Sequence, residues 1–216
     1  MSTTHRVHYA WVICLAGTLM LFTSIGLGVN VFSAFQPHLM AYANLTNTQG
    51  SFIITVRSFF LLVGMTTATW LANRLGLRLA GTLTLLMVAF SSFLFGAVRQ
   101  FPLYCVAAAL VGLSYSWAGM IPASLLISRW FHDRQALALG IVSAGTGLAT
   151  IVAPVPFTVL IETFSLRVSF WTEAVIVLVF ALLYFLLARN SGSDRGAYYS
   201  RRAYKARLGK RRSGYD

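Results

Sequence analysis

Six apolar stretches, each about long enough to cross a bilayer, occupy most of the chain: Tyr9–Phe32, Phe52–Ala72, Leu79–Val98, Leu103–Ile127, Ala136–Leu160 and Val168–Ala188. A hydrocarbon core of about 30 Å is crossed by about 20 helical residues. Within these stretches only Arg57 and Glu173 carry a formal charge. Lipid offers the backbone no hydrogen-bond partners, so a spanning segment is either a helix or a strand of a closed barrel. Barrel strands are shorter and alternate in polarity, whereas runs such as Leu83–Phe90 and Val175–Ala188 do not alternate. The expected fold class is all-α: a polytopic membrane protein of six transmembrane helices.

Composition excludes the main rival. Apolar residues make up 57% of the chain, charged residues 10%, and the mean hydropathy is +0.72. A soluble domain carries about a quarter charged residues, and six helices apolar all round would leave this one too little polar surface. The first stretch is too long for a signal peptide and lacks a small-residue cleavage site. Cys14 and Cys105 both fall inside stretches and read as small buried residues, with no disulfide or metal site expected.

The formal charge of +12 resembles a nucleic-acid signal until it is placed along the chain. Alternate connections put Arg6, Arg74, Arg78, Arg129, Arg134 and nine Lys/Arg after Ala188 on one side, against Arg99 and Arg167 on the other. Lys and Arg accumulate in cytoplasmic loops. The expected organisation is a cytoplasmic N-terminus over residues 1–8, a transmembrane domain over 9–188 and a basic cytoplasmic tail over 189–216, in a cell (inner) membrane. The tail is expected to be disordered and held near anionic lipid. No reading fold accompanies its charge, so no nucleic-acid partner is expected.

The connection Ser33–Ser51 is the longest and contains no charged residue. Within it, Thr46 to Gln49 has capping-box spacing, so the second helix is expected to begin before its apolar stretch. Asn44-Leu45-Thr46 fits a glycosylation sequon. Spans 1–3 and 4–6 are similar in length. An odd number of crossings gives the second unit the opposite orientation to the first, the arrangement of two inverted three-helix units.

Small residues recur at helical spacing as Gly112, Ser116, Gly119 and Ala123, and again as Gly140, Ala144 and Gly147. Such stripes let helix backbones approach closely in lipid; Pro122 and Pro154 are expected bends. Arg57 is the most pointed single residue, since a charge at that depth is costly unless it pairs, snorkels or faces water. Three readings stay open: contact with an anionic substrate, pairing with Glu173 or another polar group, and snorkelling. Asn30 and Tyr115 are candidate cavity residues. Five acidic residues form no cluster for metal or acid–base work, and no histidine lies mid-span to serve a nucleophile. The glycine-rich segment around Ser143 lacks the lysine and strand of a phosphate loop. No enzyme activity and no cofactor is expected.

The connection Thr69-Trp70-Leu71-Ala72-Asn73-Arg74-Leu75-Gly76-Leu77-Arg78 resembles the signature of the major facilitator superfamily, which runs Gly, three residues, Asp, Arg/Lys, any residue, Gly, any residue and two basic residues. Arg74, Gly76 and Arg78 match; Thr69, Asn73 and Leu79 depart from it. The stretch Ile127–Gly140, ISRWFHDRQALALG, is similar to the helix 4–5 connection of monocarboxylate and oxalate:formate-type transporters, and Ser143, Gly145, Gly147 and Pro154 continue the likeness. The resemblance covers about residues 9–188.

It implies one six-helix half of a twelve-helix fold, with a substrate site between halves and secondary transport of a small organic anion by alternating access. Asn73, Arg74, Gly76 and Arg78 would then serve conformational gating, with Arg129 and Arg134 in the helix 4–5 connection. Expected partners are membrane lipid, a small organic anion, and a second six-helix half or a second copy of the chain. The rival expectation is a truncated or non-transporting membrane protein that binds another membrane subunit.

Overall fold

A computed structural model describes residues 3–130 and 135–188, with side chains over 11–128 and 135–188. The basic segment 189–216 and Arg134 lie outside the described residues. Regular structure among the described residues is helical: α1 (Thr3–Leu21), a π-helical segment (Phe22–Val31), α2 (Phe32–Tyr42), α3 (Asn47–Leu75), α4 (Leu77–Ala97), α5 (Phe101–Trp117), α6 (Met120–Trp130), α7 (Gln135–Val152), α8 (Pro154–Thr163) and α9 (Leu166–Leu187). These build six spans long and apolar enough to cross a membrane: Trp11–Tyr42, Asn47–Leu75, Leu77–Ala97, Phe101–Ser128, Gln135–Thr163 and Leu166–Leu187.

The connection expected at Ser33–Ser51 is mostly helix. The first span continues to Tyr42, because Phe35 and Leu39 of α2 bury one helical face. Phe35 meets Phe157 and Phe170 edge-on. The second span starts at Asn47, before its apolar stretch. Thr46 Oγ1 accepts the Gln49 amide proton and Gln49 Oε1 accepts that of Thr46, completing the capping box. Only Ala43–Thr46 remain as a turn, with Asn44 at φ 51°.

Two spans break where proline removes a backbone donor. In the fourth, α5 stops at Trp117 and α6 starts at Met120. Pro122 has no N–H to offer the Ala118 carbonyl four residues earlier, and the Ser24 hydroxyl of the first span donates to that oxygen instead, at 3.0 Å. In the fifth, α7 gives way to α8 at Ala153, just before Pro154.

The packing follows a two-fold pattern. Span 1 lies against span 5 and span 4 against span 2, while spans 3 and 6 pack against each other. Exchanging spans 1–3 for 4–6 leaves this pattern unchanged, as two inverted three-helix units require. Spans 2, 4, 1 and 5 make a layer, with spans 3 and 6 behind it. Glycines set the close crossings within that layer. Gly112 of α5 sits against the Arg57 backbone of α3, and Gly26 of the π-helical segment sits against Ala149 of α7. Gly140 and Gly147 do not join in: among the described residues nothing lies within 4 Å of where a Cβ would stand, so the packing expected of them is not made there. A Cβ at Gly119 would meet the Tyr115 carbonyl in the last turn of α5, so this glycine marks the break.

Candidate functional site

Arg57 stands on α3 about 15 Å along the axis from Asn47. Its backbone is pinned by Gly112, and the Ser116 hydroxyl one turn further along α5 donates to the Leu61 carbonyl at 2.5 Å. The side chain is therefore presented by a fixed crossing of spans 2 and 4. Its guanidinium carbon lies 5.2 Å from the centroid of the Phe32 ring. Nη1 is buried and has no hydrogen-bond partner among the described residues.

Of the three readings left open, pairing with Glu173 is not made. Glu173 is buried on α9, which packs against α4. Tyr115 is half-buried on α5, and Asn30 is bonded elsewhere. Its Nδ2 donates to Thr150 Oγ1 at 2.6 Å, tying the π-helical segment to α7 one turn before the Pro154 break. Above Tyr115, Trp117 Nε1 donates to Thr67 Oγ1 at 2.9 Å, a further tie between spans 4 and 2.

The first span reaches Arg57 through irregular backbone. Ten residues, Phe22–Val31, wind as a π-helix, a form that occurs mostly as single-turn bulges and frequently at functional sites. Sequence reasoning missed this segment, and it missed Phe32 as the ring beneath Arg57. The signal present in the sequence was Gly26 and Gly28 beside Thr23 and Ser24, all poor at holding an α-helix.

At the other end of the bundle, Gly76 alone separates α3 from α4, at φ 79° and ψ 152°. That region is essentially confined to glycine, which is why Gly76 stands there. Arg78 Nε donates to the Phe185 carbonyl at 2.9 Å and its guanidinium lies over the Phe185 ring at 4.1 Å. Phe185 is in the last turn of α9, the end of a helix where the carbonyls carry partial negative charge. The buried Tyr184 hydroxyl donates to the Leu77 carbonyl at 3.0 Å. The loop is thus fastened to the end of span 6. Asn73 and Arg74 face outward, Arg74 lying over Trp70 at 5.1 Å. Arg129 falls in the last turn of α6, where the backbone alone is described.

Comparisons with known proteins agree with this geometry. The model of the Major Facilitator Superfamily matches residues 15–211, continuing past Ala188 into the basic segment. The agnestins efflux protein of Paecilomyces divaricatus is 28% identical over 67% of this chain and 34% of its own length. The MFS-type transporter pytF of Aspergillus terreus is 26% identical over 67% of this chain and 49% of its own. Monocarboxylate transporter 12 of Homo sapiens is 30% identical over 54% of this chain and 21% of its own. The matched chain thus spans less than half the length of these relatives. With six apolar helices packed as two inverted units, it is a multi-pass membrane protein and belongs to the major facilitator superfamily.

Proposed function

We propose that this chain, together with a second six-helix body, forms a secondary transporter that carries a small organic anion, such as a monocarboxylate, by alternating access. The observation that carries the reading is Arg57: a guanidinium inside a span, held by a fixed helix crossing, with Nη1 buried and unpartnered. A cation within a membrane is costly, and more so with a buried nitrogen left without a hydrogen bond. A bound carboxylate would remove that cost through bidentate, charge-assisted hydrogen bonds. The Phe32 face and the Tyr115 hydroxyl would flank the anion. Support for the substrate class comes from the likeness to a protein named as a monocarboxylate transporter; those named as efflux proteins favour export as the direction.

In this reading both chain ends lie on the cytoplasmic side of a cell membrane, and the open faces of α3 and α7 meet the second body. Gly76 and Arg78 hold the gate at the cytoplasmic end, and an ion or exchange gradient supplies the driving force. The test is uptake of radiolabelled monocarboxylates into proteoliposomes, with the oligomeric state measured by light scattering. Arg57→Ala is expected to abolish uptake while membrane insertion is unchanged, and Arg57→Lys to restore part of it. A fully active Arg57→Ala protein refutes the anion role, and uptake by a strict monomer refutes the need for a second body.

A further inference from the structure

Spans 3 and 6 enclose a groove of about 410 Å3 on the flank turned away from the four-helix layer. Its floor is Ala89 of α4 and Ala174 of α9, both buried. Its walls are Phe90 and Phe93 on one side and Trp171 and Val175 on the other, all exposed. On each helix the lining residues are spaced three and four apart, so each contributes one face, and alanine at the centre of both faces leaves the channel. At one end Phe93 and Trp171 stack at 5.9 Å with 17° between their planes.

One turn beyond Trp171, on the same face of α9, stands Arg167, its guanidinium 5.9 Å from the Trp171 ring. Arg167 Nε donates to the Gly96 carbonyl at 3.0 Å and Nη2 to the Ala97 carbonyl at 3.4 Å. These bonds fix the guanidinium over the groove's end while leaving the side chain exposed. The connections at this end, 98–100 and 164–165, contain Arg99 and no acidic residue.

We propose that the groove is a binding site for one anionic phospholipid, its acyl chain lying over Ala89 and Ala174 and its phosphate at Arg167. The groove lies within membrane-spanning helices, where acyl chains are the surrounding solvent. A concave apolar channel ending in a fixed, exposed cation is complementary to a molecule with an apolar chain and an anionic head. This site is on the opposite flank from Arg57 and does not depend on the transport reading.

The test is native mass spectrometry of the purified full chain titrated with phosphatidylglycerol and, separately, phosphatidylcholine of the same acyl chains. The unaltered protein is expected to retain phosphatidylglycerol preferentially. Arg167→Gln should reduce that retention about fivefold, the effect of one interfacial cation on an anionic lipid, and leave phosphatidylcholine unchanged. Ala174→Leu fills the floor without touching Arg167 and should reduce retention of both lipids. Arg99→Gln, whose cation bonds Tyr42 instead, should change neither.

Circular dichroism establishes that each variant is folded. Should Arg167→Gln not fold, Ala174→Leu and quenching of Trp171 fluorescence by brominated phosphatidylglycerol, read against Trp171→Phe, carry the test. Equal retention of the two lipids by the unaltered protein overturns the proposal. So does unchanged retention in a folded Arg167→Gln or Ala174→Leu protein, an equal loss in Arg99→Gln, or brominated lipid that leaves Trp171 unquenched.

Discussion

Adding one methyl group at Gly112 and the same group at Gly140 should move stability in opposite directions. At 112 a Cβ would stand 2.3 Å from the Arg57 carbonyl oxygen and 3.1 Å from the Leu61 amide nitrogen, where ordinary contact begins at 3.4 Å. Both neighbours are backbone, so no side chain can rotate away, and α3 has to shift by about 1 Å as a body. Overpacking of this kind costs about 1–3 kcal/mol. The better helix propensity of alanine returns at most about 1 kcal/mol, so a net loss of about 1–2 kcal/mol remains. At 140 nothing among the described residues lies within 4 Å, and the propensity gain acts. One kcal/mol shifts the melting temperature of a chain this size by about 2–4 °C. Gly112→Ala should therefore melt about 2–8 °C below the unaltered protein and Gly140→Ala at or slightly above it, measured by circular dichroism in one detergent. Gly112→Ala also displaces the backbone that carries Arg57, so it should lower anion uptake at temperatures where the protein is still folded. Equal melting shifts for the two variants would refute the assignment of the span 2–4 crossing.

Gly76→Ala forces a side chain into backbone geometry at φ 79° and should cost about 1–3 kcal/mol, read as a lower melting temperature. Ser24→Ala leaves the buried Ala118 carbonyl without its donor, an expected loss of about 1–3 kcal/mol. Pro122→Ala restores the missing N–H, so the same change should cost less in that background, and additive melting shifts across the four proteins would refute the account of the break. Arg78→Gln gives up the bond to the Phe185 carbonyl and the ring contact. A loss of about 1 kcal/mol is expected for this half-buried group, together with faster protease cleavage at Leu75–Leu77 if the loop is held by span 6.

How much of this was legible in the sequence depended on whether the cause was local. The capping box at Thr46 and Gln49 needs only residues three apart, and it was readable. The run of the first span on to Tyr42 was not, because hydropathy reports the depth of lipid and α2 is held by aromatic contacts with α8 and α9. The glycine stripes at Gly112 and at Gly140 look alike in sequence; which one meets a neighbour is a tertiary fact. Proline marked both breaks, but the fourth span opens four residues before Pro122, at the carbonyl the proline leaves unpaired, and the donor that answers it belongs to another span. Arg57 was visible as a misplaced charge, while the Phe32 ring beneath it comes from another span.

Spans 3 and 6 show how an inverted repeat is written in side chains that share almost no sequence. Leu77-Arg78 opens α4 and Leu166-Arg167 opens α9. Each arginine reaches across to the last carbonyls of the other helix: Arg78 to Phe185, and Arg167 to Gly96 and Ala97. The two helices are antiparallel, so each start lies beside the other's end, where orphan carbonyls and the negative end of the helix dipole call for a cation. The same solution thus arises at both ends of one helix pair. A pair clamped at both ends has little freedom to slide, whereas spans 1, 4 and 5 are each interrupted near the middle. In the transport reading that pair would move as one unit, and the interrupted helices would supply the bending.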